Sequence, residues 1–93
     1  MTQSDNLAAF WYRKAADQGH SSAQFNMAVL HLHGHGVERD AISAYSWLLL
    51  AQQQGHRPST ELMKELDDIL NDEQRAEARR RSSEMSAQRV ASD

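Results

Sequence analysis

A sixteen-residue stretch of this chain comes back in altered form. Residues 5–20 and 41–56 align at a constant offset of 36, with six identities. Ala8 falls opposite Ala44, Trp11 opposite Trp47, Ala15 opposite Ala51, Gln18 opposite Gln54, Gly19 opposite Gly55 and His20 opposite His56. Average residue frequencies would give roughly one identity in such a window. The echo continues downstream, with Met27 opposite Met63 and Leu30 opposite Leu66. A period of roughly 20 to 50 residues marks stacked supersecondary units. The shared Ala, Trp, Ala and Gln recur at helical spacing, so the unit is two antiparallel helices and the expected fold is all-α: a short α-solenoid.

The rest of the chain supplies the helix ends. Ser4 or Asp5 caps a first helix running to about Gln18, and Gly19 takes the left-handed position beyond it. Ser21 with Gln24 has the capping-box form and opens a second helix. Its stripe is Ala23, Met27, Leu30 and His31, flanked by Phe25 and Ala28, and Gly34 and Gly36 stop it near His33. In the loop Gly34–Arg39, Val37 is expected to tuck under the chain. Asp40 caps a third helix, about 41–54, whose Ala44, Trp47, Leu48 and Ala51 repeat the buried pattern of the first. Pro58 suits the first turn of a fourth helix. Its apolar face is Leu62, Met63, Leu66, Ile69 and Leu70; its solvated side is Glu61, Glu65, Asp67 and Asp68. Asn71, with Gln74 three residues on, caps a fifth helix, about 72–86, anchored by Ala76, Ala78 and Met85. Residues 4–86 thus read as one domain: two hairpins of about 4–39 and 40–70, a C-terminal capping helix, and a disordered tail at 87–93.

The pattern resembles the Sel-one-like repeat (SLR) family, relatives of the tetratricopeptide repeat. Members have a Trp followed by two alanines and a Gly at the end of one helix, an Ala opening the next, then a G-x-G-V-x-x-D loop. Here the counterparts are Trp11, Ala15, Ala16, Gly19 and Ala23, then Gly34-His35-Gly36-Val37-Glu38-Arg39-Asp40, followed by Ala44 and Trp47. The loop is the most specific part of the match. Leu70-Asn71-Asp72-Glu73-Gln74 is similar to the start of the closing helix that often follows such arrays. Three positions depart: Gln52 stands for an alanine, Ser59 for an alanine and His31 for a tyrosine. In such a packing both tryptophans fill the space between layers, and truncating either to Ala would cost about 3–5 kcal/mol.

The resemblance implies a non-catalytic protein–protein interaction module, an adaptor or scaffold of the kind found in bacterial signalling, envelope or host-interaction processes. The expected mechanism is presentation of a shallow concave surface built by the first helices of the units, with Tyr12, Arg13 and Asp17 as contact residues. Two units are fewer than the roughly three a stable array needs. Either the closing helix completes the core, or the chain forms a homodimer, or it docks on a larger protein.

Composition narrows the alternatives. The net charge of −3 gives no global field that would draw in nucleic acid or an anionic membrane. There is no cysteine, hence no disulfide framework, thiolate metal site or Cys nucleophile. The N-terminus has no basic region followed by an apolar run, and no stretch approaches the roughly 20 apolar residues of a membrane span; the chain reads as cytoplasmic. No nucleophile elbow, paired-acid signature or phosphate-cradling loop is present, so neither an enzyme nor a bound cofactor is expected. His31, His33 and His35 invite a metal-responsive reading, but residues i and i+2 of a helix point about 200° apart, and no metal site is assigned. His33 and His35 read as exposed and His20 and His56 as helix-junction residues. Arg75, Arg79, Arg80 and Arg81 are interleaved with Glu73, Glu77 and Glu84, which suits a solvated face pairing with the acidic fourth helix better than a phosphate-binding one.

The copies differ most usefully where Arg13 and Lys14 are replaced by Leu49 and Leu50. With Leu48 these wrap one turn of the third helix in apolar surface, which must be covered on all sides or left as a contact. Either the fifth helix covers Leu49 or Leu50, or one of them joins the binding surface. A small inhibitor or immunity-type binder of one enzyme, and a His-dependent metal-responsive regulator, are the competing functional readings.

Overall fold

The computed structural model describes the backbone of residues 3–91 and the side chains of residues 6–87. Five α-helices follow in order: α1 (Gln3–Asp17), α2 (Ser21–His33), α3 (Ala41–Gln53), α4 (Arg57–Asp67) and α5 (Asp72–Ala91). No strand occurs among the described residues. Two hairpins, α1–α2 and α3–α4, are followed by α5, giving an all-α solenoid. α3 is the central element, packed against α2, α4 and α5.

The repeated Gln-Gly-His segment closes both first helices with the same bonds. His20 N–H donates to the Ala15 carbonyl at 3.3 Å and Gly19 N–H to that of Ala16 at 3.0 Å. Thirty-six residues on, His56 donates to Ala51 at 3.2 Å and Gly55 to Gln52 at 2.9 Å. This paired closure satisfies the last carbonyls of a helix and needs a left-handed residue; Gly19 and Gly55 have φ of 94° and 83°. Gly34 also ends α2 in the left-handed region, at φ 71°, with its own N–H and that of His35 both donating to the Leu30 carbonyl, and a Cβ there would lie 3.3 Å from that of Arg39. Glycine at 34 therefore lets the loop fold back, where Asp40 N–H donates to the His31 carbonyl at 2.9 Å and the His31 Nδ1–H to that of Glu38 at 2.9 Å. Val37 is half-buried against the core beneath this loop.

Asp40 caps α3. Its carboxylate accepts from Ile42 N–H at 3.0 Å, from Ser43 N–H at 3.3 Å and from the Ser43 hydroxyl at 2.9 Å. Asn71 and Gln74 form a reciprocal box at the start of α5: Asn71 N–H donates to Gln74 Oε1 at 2.9 Å, and Gln74 N–H to Asn71 Oδ1 at 2.8 Å. Ala44, Leu48 and Ala51 of α3 are fully buried, joined by Met27 and Ala28 from α2, Met63 and Leu66 from α4, and Ala78 from α5. The Ser46 hydroxyl donates to the Ala78 carbonyl at 3.2 Å, where two small residues let α5 approach α3 closely. Tyr45 ties α3 to the end of α4 by donating to Asp67 at 2.7 Å.

Several sequence expectations are corrected. Trp11 does not fill a gap between layers: it is 59% exposed, whereas Trp47 is 5% exposed. Ser4 and Asp5 are not caps, because α1 already begins at Gln3. The Ser21–Gln24 capping box does not form. His20 stands at the N-cap with no side-chain bond, and the buried Gln24 amide bridges other helices instead. Ile69 leaves the apolar face of α4, since the helix stops at Asp67 and Ile69 stands 71% exposed. The helical backbone of α5 extends to Ala91, past the expected end near residue 86, as a run without Gly or Pro permits; the last two residues of the expected tail lie outside the described residues. The three departures from the repeat are each accommodated. Gln52 is exposed, Ser59 is buried with its hydroxyl 2.7 Å from His56 Nδ1, and His31 holds the loop.

Candidate binding groove

α3 floors a groove of about 450 Å³, with α1 on one side and α5 on the other. From α3 it takes Ser43, Ser46, Trp47 and Leu50, a stripe spaced three, one and three residues apart that faces one side of the helix. α1 adds Arg13, Ala16 and Asp17, α2 adds Gln24 and His31, and α5 adds Arg81, Met85 and Ser86. The floor is apolar at Trp47, Leu50 and Met85, while both flanking helices bring a guanidinium.

Each arginine is already positioned. Arg13 Nε donates to Asp17 at 3.3 Å, and its guanidinium carbon sits 5.6 Å from the Trp47 ring, within the range of cation–π attraction. Arg81 donates to Glu77 at 2.9 Å, to the Ser43 hydroxyl at 3.3 Å and to Asp40 at 3.5 Å, so that α5 is pinned to the cap of α3. Burial works against the Asp40 carboxylate, but the Ser43 hydroxyl, the Ser43 and Ile42 amides and the Arg81 charge outweigh it and hold its pKa below the usual value. Glu77 is lowered as well, by its bonds from Arg80 and then Arg81. The arrangement offers two cations of fixed geometry beside an apolar floor.

Of the residues expected at a partner surface, the structure brings Arg13, Asp17 and Leu50 to this groove. Leu50 is 9% exposed at its floor. Leu49 packs half-buried against the core and does not line the groove. Tyr12 is exposed on α1 but lies outside the lining. Trp47 was expected only as core and turns out to line the groove as well. Ser43, Ser46, Arg81 and Met85 were missed. Helical spacing puts positions 43, 46, 47 and 50 on one side of α3, but nothing in the sequence says that α5 crosses beside it.

The other candidates resolve differently. His33 and His35 are exposed with ring centroids 5.5 Å apart, and no group of three or more His, Cys, Asp or Glu side chains converges among the described residues. The arginines of α5 pair mainly within their own helix, Arg80 with Glu77 and Glu84, rather than with the carboxylates of α4. Arg75 instead joins Asp72 and the Asp67 and Leu70 carbonyls that end the preceding segment. No described helix is long and apolar enough to cross a membrane.

Comparison with known proteins places the fold. The sequence pattern of the Sel1 repeat matches residues 1–20 and 21–56. The second match spans α2 and α3, so the pattern divides the chain between the helices of a hairpin and not between hairpins. No curated protein sequence matches. Among solved structures the chain is similar to c5321, described as a protective antigen present in uropathogenic Escherichia coli strains displaying an SLR fold. The two share 33% identity and a TM-score of 0.81 over 87% of this chain and 18% of the other. Repeats of this kind are in general protein-interaction modules and typically non-catalytic. Five helices, the doubled Gln-Gly-His closure and the matched segments agree: the chain belongs to the Sel1 repeat family.

Proposed function

We propose that this chain is a non-catalytic, adaptor-type binding module whose partner lays a short extended segment in the groove over α3. The observation that carries this reading is the make-up of the groove: an apolar floor of Trp47, Leu50 and Met85, with Arg13 contributed by α1 and Arg81 by α5. Its volume of about 450 Å³ falls within the roughly 300–1,000 Å³ typical of sites for small ligands. That suits a few side chains and excludes a flat protein surface. A segment with an apolar side chain over Trp47 and a carboxylate beside it fits best. The carboxylate would share Arg13 with Asp17 or Arg81 with Asp40, a charge-assisted exchange that leaves no cation unpaired.

The test is photo-crosslinking in the source cells, with the reactive residue placed in turn at Met85, at Ser86 and, as a control, at Glu65 on the outer side of α4. A discrete adduct from Met85 and Ser86 that is absent from Glu65 is expected, and Arg81→Glu should weaken it. Adducts of equal strength from Glu65, or none from the groove positions, would remove the groove from consideration.

A further inference from the structure

Gly34 changes what two of the histidines can do. Inside a helix, side chains two residues apart point about 200° apart and cannot meet at one ion. His33 and His35 escape that geometry because α2 stops between them: His33 is its last residue, and Gly34 turns the chain at φ 71°. The Gly34 and His35 N–H groups both donate to the Leu30 carbonyl, at 2.7 and 3.0 Å, and Asp40 N–H ties the far end of the loop to the His31 carbonyl at 2.9 Å. The backbone that carries the two rings is therefore held at both ends. Glycine permits this curl, since any other residue at 34 would place a Cβ against that of Arg39 on left-handed backbone.

The result is a pair of exposed imidazoles with ring centroids 5.5 Å apart and planes inclined at 31°. Two imidazoles bonded to one ion at about 2.0–2.1 Å, at a tetrahedral angle, have centroids about 5.2 Å apart. The spacing here is close to that. Both side chains are exposed, so the small rotations that aim one nitrogen of each at a shared point displace no packed neighbour. His31 does not make a third ligand. Its Nδ1 is engaged with the Glu38 carbonyl at 2.9 Å, and it lines the groove over α3, which neither His33 nor His35 does. No third His, Cys, Asp or Glu side chain joins the pair among the described residues.

We infer that His33 and His35 form a two-imidazole chelate for a divalent transition ion such as zinc or copper. Neutral imidazole suits zinc, copper and nickel, whereas magnesium and calcium take oxygen ligands. Two protein ligands leave the remaining positions to water, so the ion is exchangeable and is held less tightly than in a closed four-ligand site. The site lies where α2 passes into the loop before α3. It rests on the turn at Gly34 and would stand if the groove reading failed.

The probe is zinc chloride, titrated into the full chain by calorimetry, with the histidine ring nitrogens followed by long-range proton–nitrogen NMR. One saturable event per chain is expected, with the His33 and His35 nitrogens shifting together and those of His20, His31 and His56 unmoved. Magnesium chloride should give neither heat nor shift. His33→Gln and His35→Gln each alter an exposed side chain and leave the circular dichroism spectrum unchanged. Each should weaken zinc binding by roughly tenfold or more, at least what loss of an outer-shell partner costs a metal site. His20→Gln should bind as the parent chain does. An absence of saturable heat overturns the inference, as does binding that survives His35→Gln or that moves the His20 or His56 rings instead. One ion per two chains, with a zinc-dependent dimer in sedimentation, would mean that two chains share the ion and would overturn a chelate complete within one chain.

Discussion

α1 and α3 carry the same Trp, Ala and Gln-Gly-His framework and end with the same hydrogen bonds, yet Trp47 is 5% exposed and Trp11 59%. The difference lies in their neighbours. α3 is enclosed by α2, α4 and α5, whereas α1 packs extensively only on α2. A repeat residue therefore fixes the local helix and its termination, while its energetic weight is set by what stacks on it. Identical residues become an anchor in one unit and a surface in the other.

The largest test of that contrast is a pair of truncations. Trp47→Ala should cost about 3–5 kcal/mol, and Trp11→Ala within about 0.5 kcal/mol, both read from urea midpoints. Equal costs would mean that α1 is covered in solution. Next comes Asp40→Ala, which removes the cap of α3 and should cost about 1–2 kcal/mol. Because the folded Asp40 pKa is lowered, its contribution is present above the unfolded value of about 3.9 and is lost as pH falls through the folded one. Asp40→Asn should keep most of the cap and flatten that acid limb.

Tyr45→Phe ranks third, at about 1 kcal/mol for the lost bond to Asp67; its counterpart in the first unit, Ala9, has no hydroxyl to lose. Burial first, then the bond to Asp67, pushes the Tyr45 pKa up to about 12. Its contribution is complete below the unfolded value of about 10 and disappears as pH rises through about 12. An alkaline titration followed by phenolate absorbance should show a late transition that is absent in Tyr45→Phe. Smallest is Arg13→Ala, which removes an exposed pair with Asp17 and a contact over Trp47 and should cost about 0.2–1 kcal/mol.

Much of the fold was legible in the sequence, because local signals and tertiary demands coincide there. Gly19, Gly34 and Gly55 stop helices where left-handed backbone is needed, Asp40 caps α3, and Asn71 with Gln74 starts α5. What was not legible depends on neighbours. Trp11 looks like Trp47 in any window of sequence, and only the stacking order tells them apart. Ile69 continues the apolar spacing of α4, but the helix stops at Asp67 and its side chain points away from the core. Of the groove, the α1 residues Arg13 and Asp17 followed from their place in the repeat. Arg81 and Met85 did not, since α5 has no counterpart inside the repeat to reveal how it crosses α3.

Gln24 has a consequence for how the array comes apart. Its amide donates to the Ala16 carbonyl at 3.2 Å, and its own carbonyl accepts from Gln54 at 3.0 Å, so one buried side chain joins α1, α2 and α3. Peeling α1 away would exchange that bond for one to water, at a net cost of about 0.5–1.5 kcal/mol. The outermost helix of a linear array would otherwise be the first to fray. Under native-state hydrogen exchange, the amides that close α1 around Gln18 and Gly19 should therefore open together with those of α2. In Gln24→Leu the two helices should exchange as separate units, with α1 the faster.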